Sequence, residues 1–206
     1  ASGFRTGAAA AGAAPQEALQ VGQLKELRAL QRTRYEDAVG ANIVADLLWS
    51  DPCARTGITA NERRSMSITY GPDASAAFLK AHRLLMMLRS HEGPDARDQR
   101  HGEMPDVDAG YSIDHRWPDS NEPSVVTVFS APAYPQFKSS KKQEAARNTL
   151  GAYAVLTPRE IAAEEASSSS SSSPNKTSSG VNVKWDIDFV QYEAAPRPPG
   201  IKYPHL

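Results

Sequence analysis

The sequence has one cysteine, Cys53, few aromatic residues and no long hydrophobic run. A single cysteine excludes an internal disulfide framework and is typical of a reducing compartment. No stretch approaches the roughly 20 apolar residues that a membrane-spanning helix requires. The 23 lysines and arginines nearly balance the 24 aspartates and glutamates, which excludes a strong positive field for nucleic acid. We therefore expect neither a membrane nor a nucleic acid as a partner.

The 206 residues, of which 40% are apolar, are enough for one large domain or part of one. Residues 1–20 are rich in Ala and Gly and are predicted to be a flexible linker. The first residue is Ala, so we expect the chain to be the later part of a longer protein. A run of seven serines lies within a predicted disordered insert at 161–180. Residues 21–160 and the final strand and Pro-rich tail at 181–206 are assigned to one domain.

Hydrophobic patterning predicts a mixed α/β fold. Leucines at spacings of three predict a helix over 22–33, and Asp73 is expected to cap a second helix. Apolar or β-branched runs predict strands at 43–52, 67–70, 84–88, 125–130, 151–157 and 181–192, with a short edge segment at 110–115. Within 181–192 apolar residues occupy every second position, which indicates a half-buried strand paired in a hairpin across the Ser-rich insert.

The stretch MLRSHEGPDAR at 87–97 passes directly from an apolar run into polar residues. His91 follows the predicted strand, with Glu92 and Asp95 close behind it. Open α/β sheets bind ligands just beyond the carboxyl ends of strands, and histidine is the commonest metal ligand. On this stretch alone, a surface histidine in a polar turn is an equally good interpretation.

Four segments, taken in order, resemble the C-terminal half of the phosphoprotein phosphatase family of metal-dependent Ser/Thr phosphatases. They are DLLWSDP (46–52), NERRSMSITYG (61–71), LRSHE (88–92) and TVFSAPAY (127–134). GPDAR, GYSIDH and SAPAYPQF resemble the plant type-seven branch more narrowly. The resemblance covers about 20–160, and the final strand and tail more loosely. It implies the C-terminal half of a calcineurin-like metallophosphoesterase β-sandwich flanked by helices.

The resemblance also implies a chemistry. Two metal ions, Mn or Fe/Zn, activate a water that hydrolyses phosphoserine or phosphothreonine. His91 matches a metal ligand, and most other ligands are expected outside this chain. Glu92 and Asp95 are then expected to order the loop around the ligand.

Further residues match the family's site. Arg64 matches a phosphate-gripping arginine, and counting back from Gly71 favours it over the adjacent Arg63. Tyr134 matches a catalytic and substrate-binding tyrosine of the cleft. Trp49 and Asp51 match residues that border the site and the substrate groove, and both are given a structural role first. On chemistry alone, a solvated loop arginine and a core tyrosine remain open alternatives. One site would require a hollow shared by His91, Arg64 and Tyr134.

The sequence departs from the family at two positions. Ser65 replaces a glycine, and if that position needs a positive φ the serine would strain the loop and displace Arg64. Ala133 replaces an Asn or Asp beside Tyr134. Three of the other histidines are predicted to be surface or structural residues: His82, His101 and His115.

The family's N-terminal motifs, Gly-Asp-x-His-Gly, Gly-Asp-x-Val-Asp-Arg-Gly, Gly-Asn-His-Glu and His-Gly-Gly, do not occur in the sequence. One histidine cannot hold two such ions, so the chain alone is expected to be inactive. The expected partners are a phosphoprotein substrate, the missing N-terminal half of the catalytic domain and a regulatory protein. The expected location is nuclear or cytoplasmic.

Two other interpretations were weighed. The chain could be a truncated, catalytically inactive phosphatase-like binding module, with a partner on the apolar faces of strands 125–129 and 181–189. It could also be an unrelated α/β scaffold in which the motifs coincide by chance. The binding module, unlike the enzyme, predicts that Mn²⁺ does not shift the thermal unfolding of this chain.

Overall fold

A computed structural model describes residues 22–29, 43–100, 102–134, 149–160, 175–176 and 182–196. Within these ranges, short helices and three-stranded sheets alternate, so the predicted mixed α/β class is confirmed. None of the helices described is long and apolar enough to cross a membrane. The linker at 1–20, the Ser run at 167–173 and His101 lie outside the described residues, and the division at 160 and 180 stays a prediction.

The first sheet has the order β1-β3-β2, with β1 at Asp51–Pro52, β2 at Ile58–Ala60 and β3 at Ile68–Tyr70. The central strand β3 pairs parallel to β1 and antiparallel to β2. The prediction of a strand at 67–70 is therefore confirmed. Ala60 at the end of β2 pairs with Ile68, and Asp51 at the start of β1 pairs with Thr69, so the loop after β2 begins close to Asp51.

Helix α2 spans Ile43–Trp49, so the prediction of one strand over 43–52 is wrong for its first seven residues. The apolar residues occur in pairs four positions apart, Ile43-Val44 and Leu47-Leu48, which is helical spacing and not the alternation of a strand. The run ends before Pro52 as predicted, but it ends as a helix and not as a strand, and only the last two residues of 43–52 form β1.

Two further helices precede and follow the first sheet along the chain. Helix α1 at Leu24–Arg28 is shorter than predicted, and residues 30–33 lie outside the described chain. Helix α3 spans Pro72–His82, with Gly71 as N-cap and proline in the first turn. Asp73 is therefore not the cap. Its Oδ1 instead accepts a hydrogen bond from the Gly57 amide at 2.8 Å, which ties the helix to the loop before β2.

The second sheet has the order β4-β6-β5, with β4 at Met87–Arg89, β5 at Tyr111–Arg116 and β6 at Pro123–Val128. Strand β6 is central and carries Val125 and Val126, both fully buried. β5 is an edge strand, as predicted. β4 starts later than predicted because residues 84–86 leave α3: the Leu84 amide bonds to the Leu79 carbonyl at 2.8 Å and closes that helix.

The third sheet is dominated by a long antiparallel hairpin of β7 (Gly151–Glu160) and β9 (Asn182–Tyr192), with β8 (Asn175–Lys176) on its outer side. The register runs from Gly151 opposite Tyr192 to Glu160 opposite Val183, so the predicted pairing is confirmed. Phe189 stacks on Tyr111 with ring centroids 4.7 Å apart, which attaches the hairpin to the second sheet. Burial along β9 is less than predicted, since Trp185 remains 40% exposed.

Candidate functional site

His91 lies two residues beyond the end of β4, in the turn that leads into helix α4 at Pro94–Asp98. Its φ is +87°, a left-handed conformation that costs energy in a residue with a side chain. The ring is exposed on one side. On the other it meets Trp49 edge to face, with centroids 4.7 Å apart and planes at 81°.

Arg64 lies in the loop between β2 and β3, facing Asp51 at the start of β1. Its Nε donates to Asp51 Oδ2 at 2.6 Å and its Nη2 to Oδ1 at 3.1 Å. The guanidinium also lies over the Trp49 ring, 5.8 Å from the centroid. The structure therefore brings three predicted site residues together, with Trp49 in contact with both His91 and Arg64.

Ser65 has φ +53°, so the condition under which it should strain the loop is met. Arg64 is nevertheless held, because its amide also reaches Asn61 Oδ1 at 3.4 Å. Asn61 in turn donates to Asp51 Oδ2 at 2.9 Å. In this structure the serine strains the loop without releasing the arginine from Asp51.

Beneath this surface lies a buried network of ion pairs. Arg89 donates from Nη2 to Asp51 at 3.1 Å and from Nη1 to Glu92 at 2.9 Å. Glu92, with a side chain only 1% exposed, also pairs with Arg97 and Arg100 at 2.9 and 2.8 Å. The carboxylate of Glu92 thus orders the turn after His91, which agrees with the role expected of it.

The pKa of Asp51 shows how these contacts balance. Burial raises the pKa, but hydrogen bonds from Arg64 and Asn61 and the charges of Arg64 and Arg89 outweigh burial. The pKa therefore lies below its usual value, and Asp51 is ionised at neutral pH. The family resemblance places Asp51 at the border of the site and gives it a structural role first. The sequence does not reveal Arg89, Arg97, Arg100 and Asp114, because no local pattern separates a buried charged side chain from a solvated one.

Tyr134 reaches the His91 turn indirectly. Its ring packs edge to face on Phe129 at 5.1 Å, and its amide donates to Thr149 Oγ1 at 3.1 Å. Phe129 in turn packs against Gly93, where a Cβ would meet the ring at 3.0 Å. Ala133, the second departure from the family, has φ +50°.

A hollow of about 170 Å³ opens beside Arg64. Its lining includes the exposed Arg63 as well as Arg64, while neither His91 nor Tyr134 contributes to it. The full lining is Asp51, Arg63, Arg64, Glu92, Asp95, Ala96 and Gln99. The expected hollow shared by all three site residues is therefore not formed by the described chain.

Among the described residues, no group of three or more His, Cys, Asp or Glu side chains is arranged to hold a metal ion. His91 offers one imidazole. Burial, and next the charge of Arg64, lower its pKa, so the ring is neutral and able to coordinate at neutral pH. These residues fit one ligand position of a metal centre and do not build a whole one.

The other histidines described have structural contacts. His115 is buried, with Nδ1 2.8 Å from Ser75 Oγ and Nε2 2.9 Å from the Cys53 carbonyl. Since a carbonyl only accepts, Nε2 carries the proton that is donated to Cys53. His82 is half-buried and bonds the Gly22 carbonyl at 2.6 Å, so it is less exposed than predicted.

Comparison with known proteins places these observations in a family. No family model matches the chain. It is 39% identical over 140 residues to serine/threonine-protein phosphatase 7 of Arabidopsis thaliana, covering 67% of this chain and 32% of that protein. It is 35% identical over 112 residues to serine/threonine-protein phosphatase 5 of Rattus norvegicus, covering 54% and 18%.

Among solved structures, a protein serine/threonine phosphatase from Saccharomyces cerevisiae matches with a TM-score of 0.40 and 20% identity, over 73% of this chain and 34% of that one. The chain spans about a third or less of the curated relatives it matches. The sequence relatives confirm the resemblance, including its type-seven character. The chain is a homologue of the C-terminal region of Ser/Thr protein phosphatases of the phosphoprotein phosphatase family.

Proposed function

We propose that this chain is the C-terminal part of a metal-dependent protein Ser/Thr phosphatase that hydrolyses phosphoserine or phosphothreonine with a metal-activated water. One observation carries the proposal. The four family segments are far apart in sequence, yet Trp49, Arg64 and His91, from three of them, are in contact. The relatives named as Ser/Thr protein phosphatases support the same reaction class.

Arg64 is the residue that would grip the phosphoryl group. A guanidinium has five N–H donors, and Asp51 takes two of them, from Nε and Nη2. The Nη1 edge is then available for the paired oxygens of a phosphate. The ion-paired cluster also contains four arginines and three carboxylates, Arg64, Arg89, Arg97, Arg100, Asp51, Glu92 and Asp114, so its net charge favours an anion.

Membership of this family implies the use of divalent metal ions in general. When bound, two ions, Mn or Fe/Zn, would supply an activated water and neutralise charge on the phosphoryl group. His91 would hold one of them through a neutral imidazole, oriented by Trp49 on one side. Tyr134 does not line the hollow beside Arg64, so the described geometry supports no hydrogen bond from its phenol to the phosphate. The remaining ligands would come from outside this chain, in the N-terminal half of the catalytic domain.

The test measures release of phosphate from a phosphoserine peptide. The chain is supplied with Mn²⁺ and with a polypeptide that carries the family's N-terminal motifs. We expect turnover that His91→Ala abolishes. The matched control is His82→Ala, which removes a half-buried imidazole on α3 and should leave turnover unchanged. Equal turnover by the His91 variant and the unaltered chain would remove His91 from the site.

A second candidate function is a binding module without catalysis. The apolar face of the β7–β9 hairpin favours it, because Leu156 is 49% exposed and Trp185 40% exposed. A phosphatase N-terminal half or a regulatory protein would cover this face, in the nucleus or the cytoplasm. This alternative predicts no Mn²⁺-dependent thermal shift and no hydrolysis under the conditions above, with Leu156→Asp abolishing partner binding. Mn²⁺-dependent turnover would refute it.

A further inference from the structure

We infer that Asp51 is a positioning residue that sets the orientation of Arg64 and couples it to the turn that carries His91. The inference deepens the proposed function, on which its consequence for phosphate binding rests. Asp51 does not itself bind the phosphoryl group, which is the role proposed for Arg64. It acts through the guanidinium that does.

Asp51 fixes the orientation of the Arg64 guanidinium. Two hydrogen bonds to one carboxylate, at 2.6 and 3.1 Å, fix the plane of the guanidinium as well as its position. The Trp49 ring supports the same group at 5.8 Å. An arginine bound this way loses most of its rotamer freedom before any ligand arrives. An anion that then binds the Nη1 edge meets a preorganised partner.

Asp51 is itself held in a fixed position. Its side chain is 4% exposed, and Asn61 and Arg89 both donate to it, at 2.9 and 3.1 Å. Arg89 also bonds the Ser50 carbonyl and Thr127 Oγ1, at 3.1 and 3.0 Å. The carboxylate therefore cannot swing to follow Arg64, and the arginine must take the direction that the carboxylate imposes.

Arg89 and Glu92 join this anchor to His91. Arg89 precedes His91 by two residues, and Glu92 follows it directly. Arg89 Nη1 donates a hydrogen bond to Glu92 Oε2 across the turn, at 2.9 Å. This pair closes the turn in which His91 has its strained φ of +87°. Asp51, Arg89 and Glu92 thus form a continuous buried chain from the phosphate-binding group to the backbone of the predicted metal ligand.

The opposite role for the Asp51 carboxylate would be competition with phosphate, and it predicts a different effect of neutralising Asp51. A carboxylate bound to Arg64 could simply compete with phosphate for it. Neutralising Asp51 would then free the guanidinium and strengthen phosphate binding. A positioning role predicts the reverse, because an unguided arginine pays the ordering cost on binding, and a misplacement of about 1 Å can cost up to about a hundredfold.

The experiment compares the unaltered chain with Asp51→Asn, which keeps the size of the side chain. The matched control is Asp186→Asn, since Asp186 pairs with Arg159 at 3.5 Å in an exposed position on the hairpin. Two quantities are measured for each: the NMR order parameter of the Arg64 Nε–H bond, and the dissociation constant for inorganic phosphate. Circular dichroism confirms that each variant is folded, and Asp51→Glu serves as a second variant that retains the charge.

We expect Asp51→Asn to lower the order of Arg64 Nε–H and to weaken phosphate binding by about tenfold or more. Asp186→Asn should change neither. Retained Arg64 order, or equal or tighter phosphate binding by Asp51→Asn, would overturn the inference. Should the unaltered chain bind no phosphate while Asp51→Asn still releases Arg64, the positioning role stands and the proposed function fails.

Discussion

Arg97 and Asp114 form a two-bonded ion pair in the interior of the molecule, with Nη1 and Nη2 of the arginine 2.8 and 2.9 Å from the two carboxylate oxygens. Their side chains are 1% and 0% exposed. The pair connects helix α4 with the edge strand β5. Thr127 of β6 adds a hydroxyl within 2.5 Å of Asp114 and 3.0 Å of Arg97, so three elements meet at one polar centre.

Breaking this pair should be costly. Asp114→Asn leaves the buried Arg97 guanidinium only its contact with Glu92, a carboxylate that Arg89 and Arg100 also share, and we expect the free energy of unfolding to fall by about 3–5 kcal/mol. Urea denaturation measures the change. Asp186→Asn, in an exposed ion pair whose two side chains are 51% and 50% exposed, should cost less than about 1 kcal/mol. Similar losses in the two variants would show that the pair adds nothing through burial.

Ser65 stands in a left-handed conformation, so Ser65→Gly should stabilise the chain. A residue with a Cβ loses about 1–2 kcal/mol there, and part of the gain is offset by the entropy of a glycine in the unfolded chain. We expect an increase of about 1 kcal/mol in the free energy of unfolding, measured in urea. Ser130→Gly, at an exposed position without positive φ, should instead be neutral or slightly destabilising.

His115 should make stability depend on pH. Burial lowers its pKa below the ordinary value of 6.5, although a hydrogen bond to the Cys53 carbonyl partly opposes this shift. The unfolded chain therefore takes up a proton at higher pH than the folded one. The contribution of His115 to stability is complete above about pH 6.5 and is lost as the pH falls from there through the folded pKa, with a slope of at most about 1.4 kcal/mol per pH unit.

Urea titrations at several pH values measure this slope. His115→Gln should be less stable than the unaltered chain at pH 8 and should show a flatter dependence between pH 7 and 5. An unchanged slope in the His115 variant would mean that other groups control the acid sensitivity.

Gly93 is required by packing against Phe129. A Cβ at this position would lie 3.0 Å from two atoms of the ring. Gly93→Ala should therefore cost about 1–3 kcal/mol through overpacking, measured by thermal or urea unfolding. The double variant Gly93→Ala, Phe129→Leu removes the clashing ring and should recover part of the loss. No recovery would place the strain in the contact with Asp95 Oδ1, also at 3.0 Å, or in the backbone of the turn, and not in the ring contact.

The parts of the fold that depend on local sequence patterns could be predicted, and those that depend on contacts between residues distant in the sequence could not. The β-branched run of β6 and the alternation of β9 report their own local geometry, and both strands were predicted. The helix at 43–49 was not predicted, because Pro52 disfavours helix at the residue before it and the whole run was therefore taken as a strand. The paired apolar residues four positions apart nevertheless indicate a helix.

The site divides in the same way. Family motifs were sufficient to predict Arg64, Trp49 and His91 as neighbours. The network that supports them was not predictable, since Arg89 meets Asp51 across 38 residues of sequence and Arg97 meets Asp114 across 17. Such pairs depend on which strands become adjacent, and a single sequence carries no sign of that. The sequence predicts strain at Ser65 only if that position needs a positive φ. A serine in place of the family's glycine does not show whether the loop keeps the left-handed conformation, as it does here, or changes its backbone.

Trp49 gives the molecule an internal optical reporter. Its indole ring touches the imidazole of His91 and the guanidinium of Arg64, so its fluorescence responds to whatever either group captures. The other two tryptophans lie elsewhere, Trp117 in the turn after β5 and Trp185 on β9, and would supply a steady background emission. Replacing both with phenylalanine would leave a chain whose single emission band follows occupancy of the site in real time, without a label.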